Sequence, residues 1–215
     1  MLIIGAKGFA KEVLEILYQL NQVDNIAFYD DVNNNIPDTL YNKFNVLKSN
    51  KEAQKFISNS DNRFTIGIGN PSLRKQLYIR FIELGGIFTS VISPLAQIGH
   101  YGNHIEEGCN IMTGTVVTNG ITIKKGVLIN LNCTIGHDSI IGNFVELSPG
   151  VHVSGNCVIG DYSVLGTNVT VLPNVTIGKN VIIGAGAVVT KNIPDNSLAF
   201  GVPAKIIKSL KPLEI

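Results

Sequence analysis

From Ile105 onward every sixth residue is aliphatic, fifteen times in succession, ending at Val189. A period of six matches neither the 3.6 of an α-helix nor the 2.0 of a half-buried strand. Fixed self-similarity marks a repeat architecture, in which each unit buries its apolar face by stacking on its neighbours. Six-residue units predict a parallel β-helix, with three short strands making one triangular coil of eighteen residues. The residue four places after each aliphatic position agrees with this. From Cys109 and Thr115 through to Ala187 and Ile193 it is never charged and never aromatic, as expected for a side chain pointing into a narrow prism. Gly follows the aliphatic residue in six repeats (Gly136, Gly142, Gly160, Gly166, Gly178, Gly184), where a corner is expected to need unusual φ. A β-sandwich or a propeller would space its turns more widely and less regularly.

Residues 1–90 follow a different pattern. Leu2–Gly5 reads as a short strand, Gly5-Ala6-Lys7-Gly8 as a turn, and Val13, Leu14, Ile16, Leu17 and Leu20 as one face of a helix. Ile26–Asp31 is expected to be a second strand, Phe64–Gly69 a third, Ser72–Leu84 a helix and Ile87–Ile92 a fourth strand entering the prism. Strands alternating with helices predict a small parallel sheet of Rossmann-like type. The expected organisation is an α/β domain over residues 1–90, a β-helix over 91–200 and a closing segment over 201–215.

The composition narrows the possible partners. Apolar residues make up 45% and charged residues 15% of the 215-residue chain, which excludes disorder. A net charge of +1 without a basic block argues against nucleic acid and anionic membranes. Neither a secretory signal nor a membrane-length apolar run is present, so a cytoplasmic location is expected. Cys109, Cys133 and Cys157 all fall on the inward repeat position and read as core fillers.

Two places suggest chemistry. Gly5 and Gly8 flank a strand–helix turn that can present backbone N–H groups to a phosphate, and Asp30 and Asp31 end the next strand, where an acid can accept from a ribose hydroxyl. The third glycine of a dinucleotide fingerprint is missing, so a plain tight turn is the competing reading. Gly69, Asn70 and Arg74 could add a second phosphate contact, or Arg74 could be a solvated surface charge. The other place is His137. One coil later at the same corner is Gly155, about 4.8 Å away by strand spacing. An imidazole beside an unobstructed backbone N–H offers a general base next to an oxyanion site. Asp138 could orient the ring; the alternative is an idle surface histidine. A shared zinc ion is not expected. With one inserted residue His100 occupies the same corner two coils away, roughly 9–10 Å from His137, too far for common ligands.

The repeat [Ile/Leu/Val]-Gly-x-x-[small]-x resembles that of bacterial hexapeptide-repeat acyltransferases. The ending Ala199-Phe200-Gly201-Val202-Pro203-Ala204-Lys205 is similar to the stretch that closes their prism. With Gly5-Ala6-Lys7-Gly8-Phe9-Ala10 and Ile135-Gly136-His137-Asp138, the whole chain resembles the sialic-acid O-acetyltransferase and nucleotide-amino-sugar N-acetyltransferase group. The resemblance implies a left-handed β-helix, a homotrimer with active sites between neighbouring prisms, and acetyl-CoA as co-substrate without a metal. It implies His137 as base, Asp138 as its companion and the Gly155 N–H as donor to the thioester oxygen. Gly155, Pro173, Lys191 and Lys205 would lie along CoA, and Gly5, Gly8, Asp30, Asp31, Gly69, Asn70 and Arg74 near the nucleotide. One departure stands out: where members for amino sugars carry a second histidine nine residues after the base, this chain has Glu146, a candidate substrate contact or a solvated corner glutamate. The expected reaction is N-acetylation of a nucleotide-linked amino sugar. O-acetylation of a sialic-acid-like sugar and a non-catalytic β-helix module are the alternatives.

Overall fold

The computed structural model describes residues 1–213. The chain opens with Leu2–Ile4 (β1), Gly8–Gln19 (α1) and Ala27–Tyr29 (β2), then Thr39–Leu40 (β3), Phe44–Leu47 (β4) and Asn50–Asn59 (α2). Arg63–Ile66 (β5), Pro71–Glu83 (α3) and Ile87–Phe88 (β6) complete an α/β layer. Its sheet runs β3-β4-β2-β1-β5-β6 and is parallel except for the β3–β4 pair. The hairpin and α2 carry little sequence signal. β4 buries only Phe44 and Val46, and α2 only Ala53 and Ile57, within otherwise polar runs.

The expected strand Ile87–Ile92 is divided. Ile87–Phe88 pairs with β5 in the first sheet, whereas Val91–Ile92 (β7) pairs with Asn110–Ile111 and begins the prism. Phe88 stacks on Phe64, with ring centroids 5.1 Å apart, while Val91 packs with Met112 and Leu128. The apolar run therefore serves two cores, with Thr89-Ser90 between the two strands.

From β7 the chain forms a parallel β-helix of three sheets with two-residue strands. Partners are eighteen residues apart, as in Ile105↔Ile123 and Ile135↔Val153. The first coil is one residue longer, since Ile98 pairs with Val117 and 117 − 98 = 19; the extra residue lies between Ile98 and His104. All fifteen inward residues from Cys109 to Ile193 are buried. The inward Thr115, Ser139 and Ser163 hydroxyls donate to the carbonyls of Asn130, Ser154 and Gly178 at 3.0, 3.1 and 2.8 Å, so the polar fillers cost no unpaired group. The three cysteines are free and buried. Burial pushes the Cys109 thiol up to about 12 and the Cys133 thiol up to about 11.

The six glycines after the aliphatic position have a different role from the one expected. None has positive φ; instead the next coil passes too close for a side chain. A Cβ on Gly136 would lie 2.5 Å from the amide nitrogen of Gly155, and one on Gly160 would lie 2.6 Å from the Gly178 oxygen. The left-handed residues fall two places later, as Asn132, Asp138, Asn156, Asn168, Asn174 and Asn180 with φ from 52° to 63°. Asn and Asp tolerate this region better than other side chains.

One prism face docks on the α/β layer. Its outward residues Val91, Asn110 and Leu128 are buried, and Asn110 bonds to Thr65 Oγ1 at 3.0 Å and to the Ile66 carbonyl at 2.9 Å. At the far end Ser197–Phe200 joins this sheet and pairs antiparallel with Lys205–Ser209. Among the described residues no helix is long and apolar enough to cross a membrane.

Candidate active site

His137 stands in the turn after Thr134–Ile135, with 63% of its side chain exposed. Its Nδ1 lies 2.8 Å from Oδ2 of Asp138. That carboxylate is reached through the left-handed backbone of Asp138 (φ 58°) and rests over Gly120 in the preceding coil, whose Cβ would come within 2.6 Å of Oδ1. On the other side the imidazole lies against Gly155: a Cβ there would be 2.6 Å from Nε2. The Asn156 amide donates to the His137 carbonyl at 2.8 Å and locks the two coils. The Gly155 amide donates to no described residue. A carboxylate on Nδ1–H leaves the Nε2 lone pair free, here beside an open backbone donor. Asn119, His137, Gly155 and Pro173 follow one another at the same corner, eighteen residues apart. Pro173, Lys191 and Lys205 are exposed, the last on the closing strand. Among the described residues no three His, Cys, Asp or Glu side chains converge as metal ligands.

The second site lies at the carboxyl ends of β1 and β2. Of the three helices, α2 and α3 are capped by Ser49 and Asn70, whereas Lys7 gives α1 no side-chain cap. The first N–H groups of α1 therefore face a cavity of about 650 Å³, bordered by Lys7, Gly8, Lys11 and Asn33–Pro37. Uncapped N–H groups and the helix dipole favour an anion there. Gly5, at φ +105°, is held close to Gly67, since a Cβ would lie 2.9 Å from the Gly67 oxygen. A smaller cavity of about 190 Å³ adjoins it, bordered by Gly5, Tyr29, Asp31, Ile68, Leu73 and Arg80 among others. Asp31 pairs with Arg80 at 3.0 Å, and burial beside this carboxylate pushes the Tyr29 hydroxyl up to about 12.

Three sequence expectations need correction. Asp30 is buried and accepts from the Val32 and Asn33 amides and the Asn33 side chain, so it shapes the loop and is not a free acceptor. Arg74 is neither surface charge nor phosphate contact. It is 1% exposed and donates to the carbonyls of Gly69, Phe144 and Val145. Glu146 is not at a corner; it lies in a strand of the docking face, with its carboxylate 3.1 Å from where a Gly69 Cβ would be. Burial pushes this carboxyl up, against the opposing pull of Arg74 and Ser148. Asn70 uses its side-chain oxygen to cap α3, accepting from Leu73 N at 2.9 Å. Arg80, Lys7, Lys11, Asn33 and Gly120 were not legible as site residues. Arg80 shares a helix with Arg74, but only the docking separates the buried one from the one at the cavity.

The first 81 residues match the family model described as the PglD N-terminal domain, and residues 138–172 and 156–191 match the bacterial transferase hexapeptide model. No curated protein matches in sequence. Among solved structures, the acetyltransferase domain of PglB from Neisseria gonorrhoeae, in complex with acetyl coenzyme A, is 32% identical with TM-score 0.87, covering 96% of this chain and 98% of that one. Perosamine N-acetyltransferase from Caulobacter crescentus, in complex with CoA and GDP-perosamine, is 29% identical with TM-score 0.89 over 97% and 96% of the two chains. WeeI from Acinetobacter baumannii is 31% identical with TM-score 0.86 over 96% and 98%.

Proposed function

The chain belongs to the PglD-like family of bacterial hexapeptide-repeat sugar acyltransferases, and on that premise we propose that it transfers an acetyl group from acetyl-CoA to the amine of a nucleotide-linked amino sugar. The observation that carries this reading is the His137 imidazole, held by Asp138 at Nδ1 and lying against Gly155, whose Cβ would come within 2.6 Å of Nε2. The amine attacks the thioester carbonyl, forming the C–N bond, and its proton passes to Nε2. Gly155 N–H donates to the tetrahedral oxyanion. The C–S bond then breaks, and the thiolate leaves with its charge balanced by the imidazolium, which returns the proton. Direct transfer needs no protein nucleophile, which accords with three buried, proton-retaining cysteines. The uncapped end of α1 takes the diphosphate, and Asp31 and Arg80 border the pocket for the rest of the nucleotide.

The complexes of the relatives support both substrates: CoA and GDP-perosamine in one, acetyl coenzyme A in another. We further propose a homotrimer with the acetyl-CoA cleft between prisms, lined by Gly155, Pro173, Lys191 and Lys205. Support comes from Ile140 and Val158, cross-strand neighbours that point outward at 40% and 38% exposure. The deciding experiment is thiol release from acetyl-CoA against UDP-, dTDP- and GDP-linked amino sugars and free sialic acid. Release with one of the nucleotide sugars is expected, and His137→Ala should slow it by about 10²–10⁴-fold, as for loss of a general base. Turnover only with free sialic acid would move the reading to O-acetylation. Failure with every acceptor would leave a binding module.

A further inference from the structure

We propose that Arg74 is a positioning residue of this reaction. From within α3 it ties the Gly69–Asn70 turn to the prism corner at Phe144–Val145, and so holds the nucleotide-binding layer in register with His137. The proposal rests on the assignment of that layer to the nucleotide sugar. Arg74 is 1% exposed, and its guanidinium reaches two structural units at once. One nitrogen donates to the carbonyl of Gly69, and the other to those of Phe144 and, at 3.0 Å, Val145. No other described donor reaches the Gly69 or Phe144 carbonyl. Phe144 stands at the left-handed corner of its coil, φ 55°, a conformation a phenylalanine seldom adopts. Burial lowers the guanidinium to about 10, and the nearby charge of Glu146 works in the opposite direction, so the group is still cationic at neutral pH.

A buried cation carries a desolvation penalty before its partners are counted, and apolar side chains of similar volume often stabilise as well or better. Adhesion between the layers has other sources. Tyr78 lies 5.9 Å from the Phe144 ring, and Lys75 Nζ lies over both the Tyr78 and Phe144 rings. Asn110 adds hydrogen bonds to Thr65 and Ile66 further along the interface, but at the Gly69 end it is the Arg74 fork, on carbonyls from both units, that sets their relative position. The turn it fixes begins at Gly69, over which the Glu146 carboxylate lies, nine residues along the chain from the proposed base.

The test compares wild type with Arg74→Met and Arg74→Lys in two assays. These are acetyl transfer with each substrate varied separately, and calorimetric binding of GDP and UDP. The expected result is a fall in kcat/KM for the nucleotide sugar of about tenfold or more, as when bonds to a charged group are lost. KM for acetyl-CoA should stay within about twofold, because no contact to the proposed CoA cleft is touched. Lysine should restore little, since an ammonium cannot span the acceptors of a fork. An unchanged kcat/KM in a folded variant overturns the proposal, and so does a KM for acetyl-CoA that rises as much as that for the nucleotide sugar. If Arg74→Met does not fold, Arg74→Lys decides by the same criteria. If the wild type transfers acetyl to no acceptor, the proposed function has failed. The positioning role is then judged from nucleoside-diphosphate affinity, where an unchanged Kd in the variants overturns it and a weakened one supports it.

Discussion

A β-carbon at position 155 would sit 2.6 Å from Nε2 of His137, and one at position 120 would sit 2.6 Å from Oδ1 of Asp138. Two glycines in the coils above and below thus leave the slots that the dyad occupies. Gly155→Ala should displace the imidazole and lower kcat by about 10²-fold, the scale set by misplacing a reacting group by 1 Å, with the melting temperature little changed. Gly120→Ala should act through Asp138, lowering turnover while KM for acetyl-CoA holds; a normal rate would mean that the carboxylate does not orient the ring. His137 and Gly155 were legible as neighbours because counting in eighteens is a one-dimensional operation. Gly120 is equally within reach of that count, one coil before Asp138, but nothing in its residue type distinguishes it from other corner glycines. Arg74 and Asp30 were misread because a polar side chain's exposure depends on which surface comes to cover it.

At the scale of elements the repeat sets the inward and outward alternation of every prism strand. The three cysteines follow from it: each is enclosed by a coil, with its thiol pushed up by burial. A thiol reagent at pH 8 should therefore modify none of the three in the native protein and all of them in denaturant. Rapid native reaction would show an open coil. Strand Ile87–Ile92 was misjudged because hydrophobicity reports that a segment is buried, and not in which core. Phe88 and Val91 enter different ones. Helix α2 and the β3–β4 hairpin were missed because each buries too few side chains to stand out from a polar background.

For the whole molecule, light scattering should give three times the chain mass if the exposed Ile140–Val158 strip meets a second copy; a monomer would leave the proposed cleft incomplete. The α/β layer has its own electrostatic tie. Asp61 accepts from Arg63 and lies 2.8 Å from the N-terminal ammonium. Burial alone would raise its carboxyl, but Arg63 and the ammonium together hold it well below the usual carboxylate range. A carboxyl depressed in the folded state adds stability above its ordinary pKa of about 3.9 and loses it as pH falls through the folded value. Asp61→Asn should accordingly lower the melting temperature at pH 7, with the difference narrowing below about pH 4. The chain by itself determined the prism, its register, the inward cysteines and the neighbourhood of His137, because a repeat converts position in sequence directly into position in space. Only the tertiary structure decided how the α/β layer meets the prism. That docking buries Arg74, sets Glu146 against Gly69 and leaves Arg80 at the cavity, because it joins segments 71 and more residues apart through contacts that no local pattern encodes.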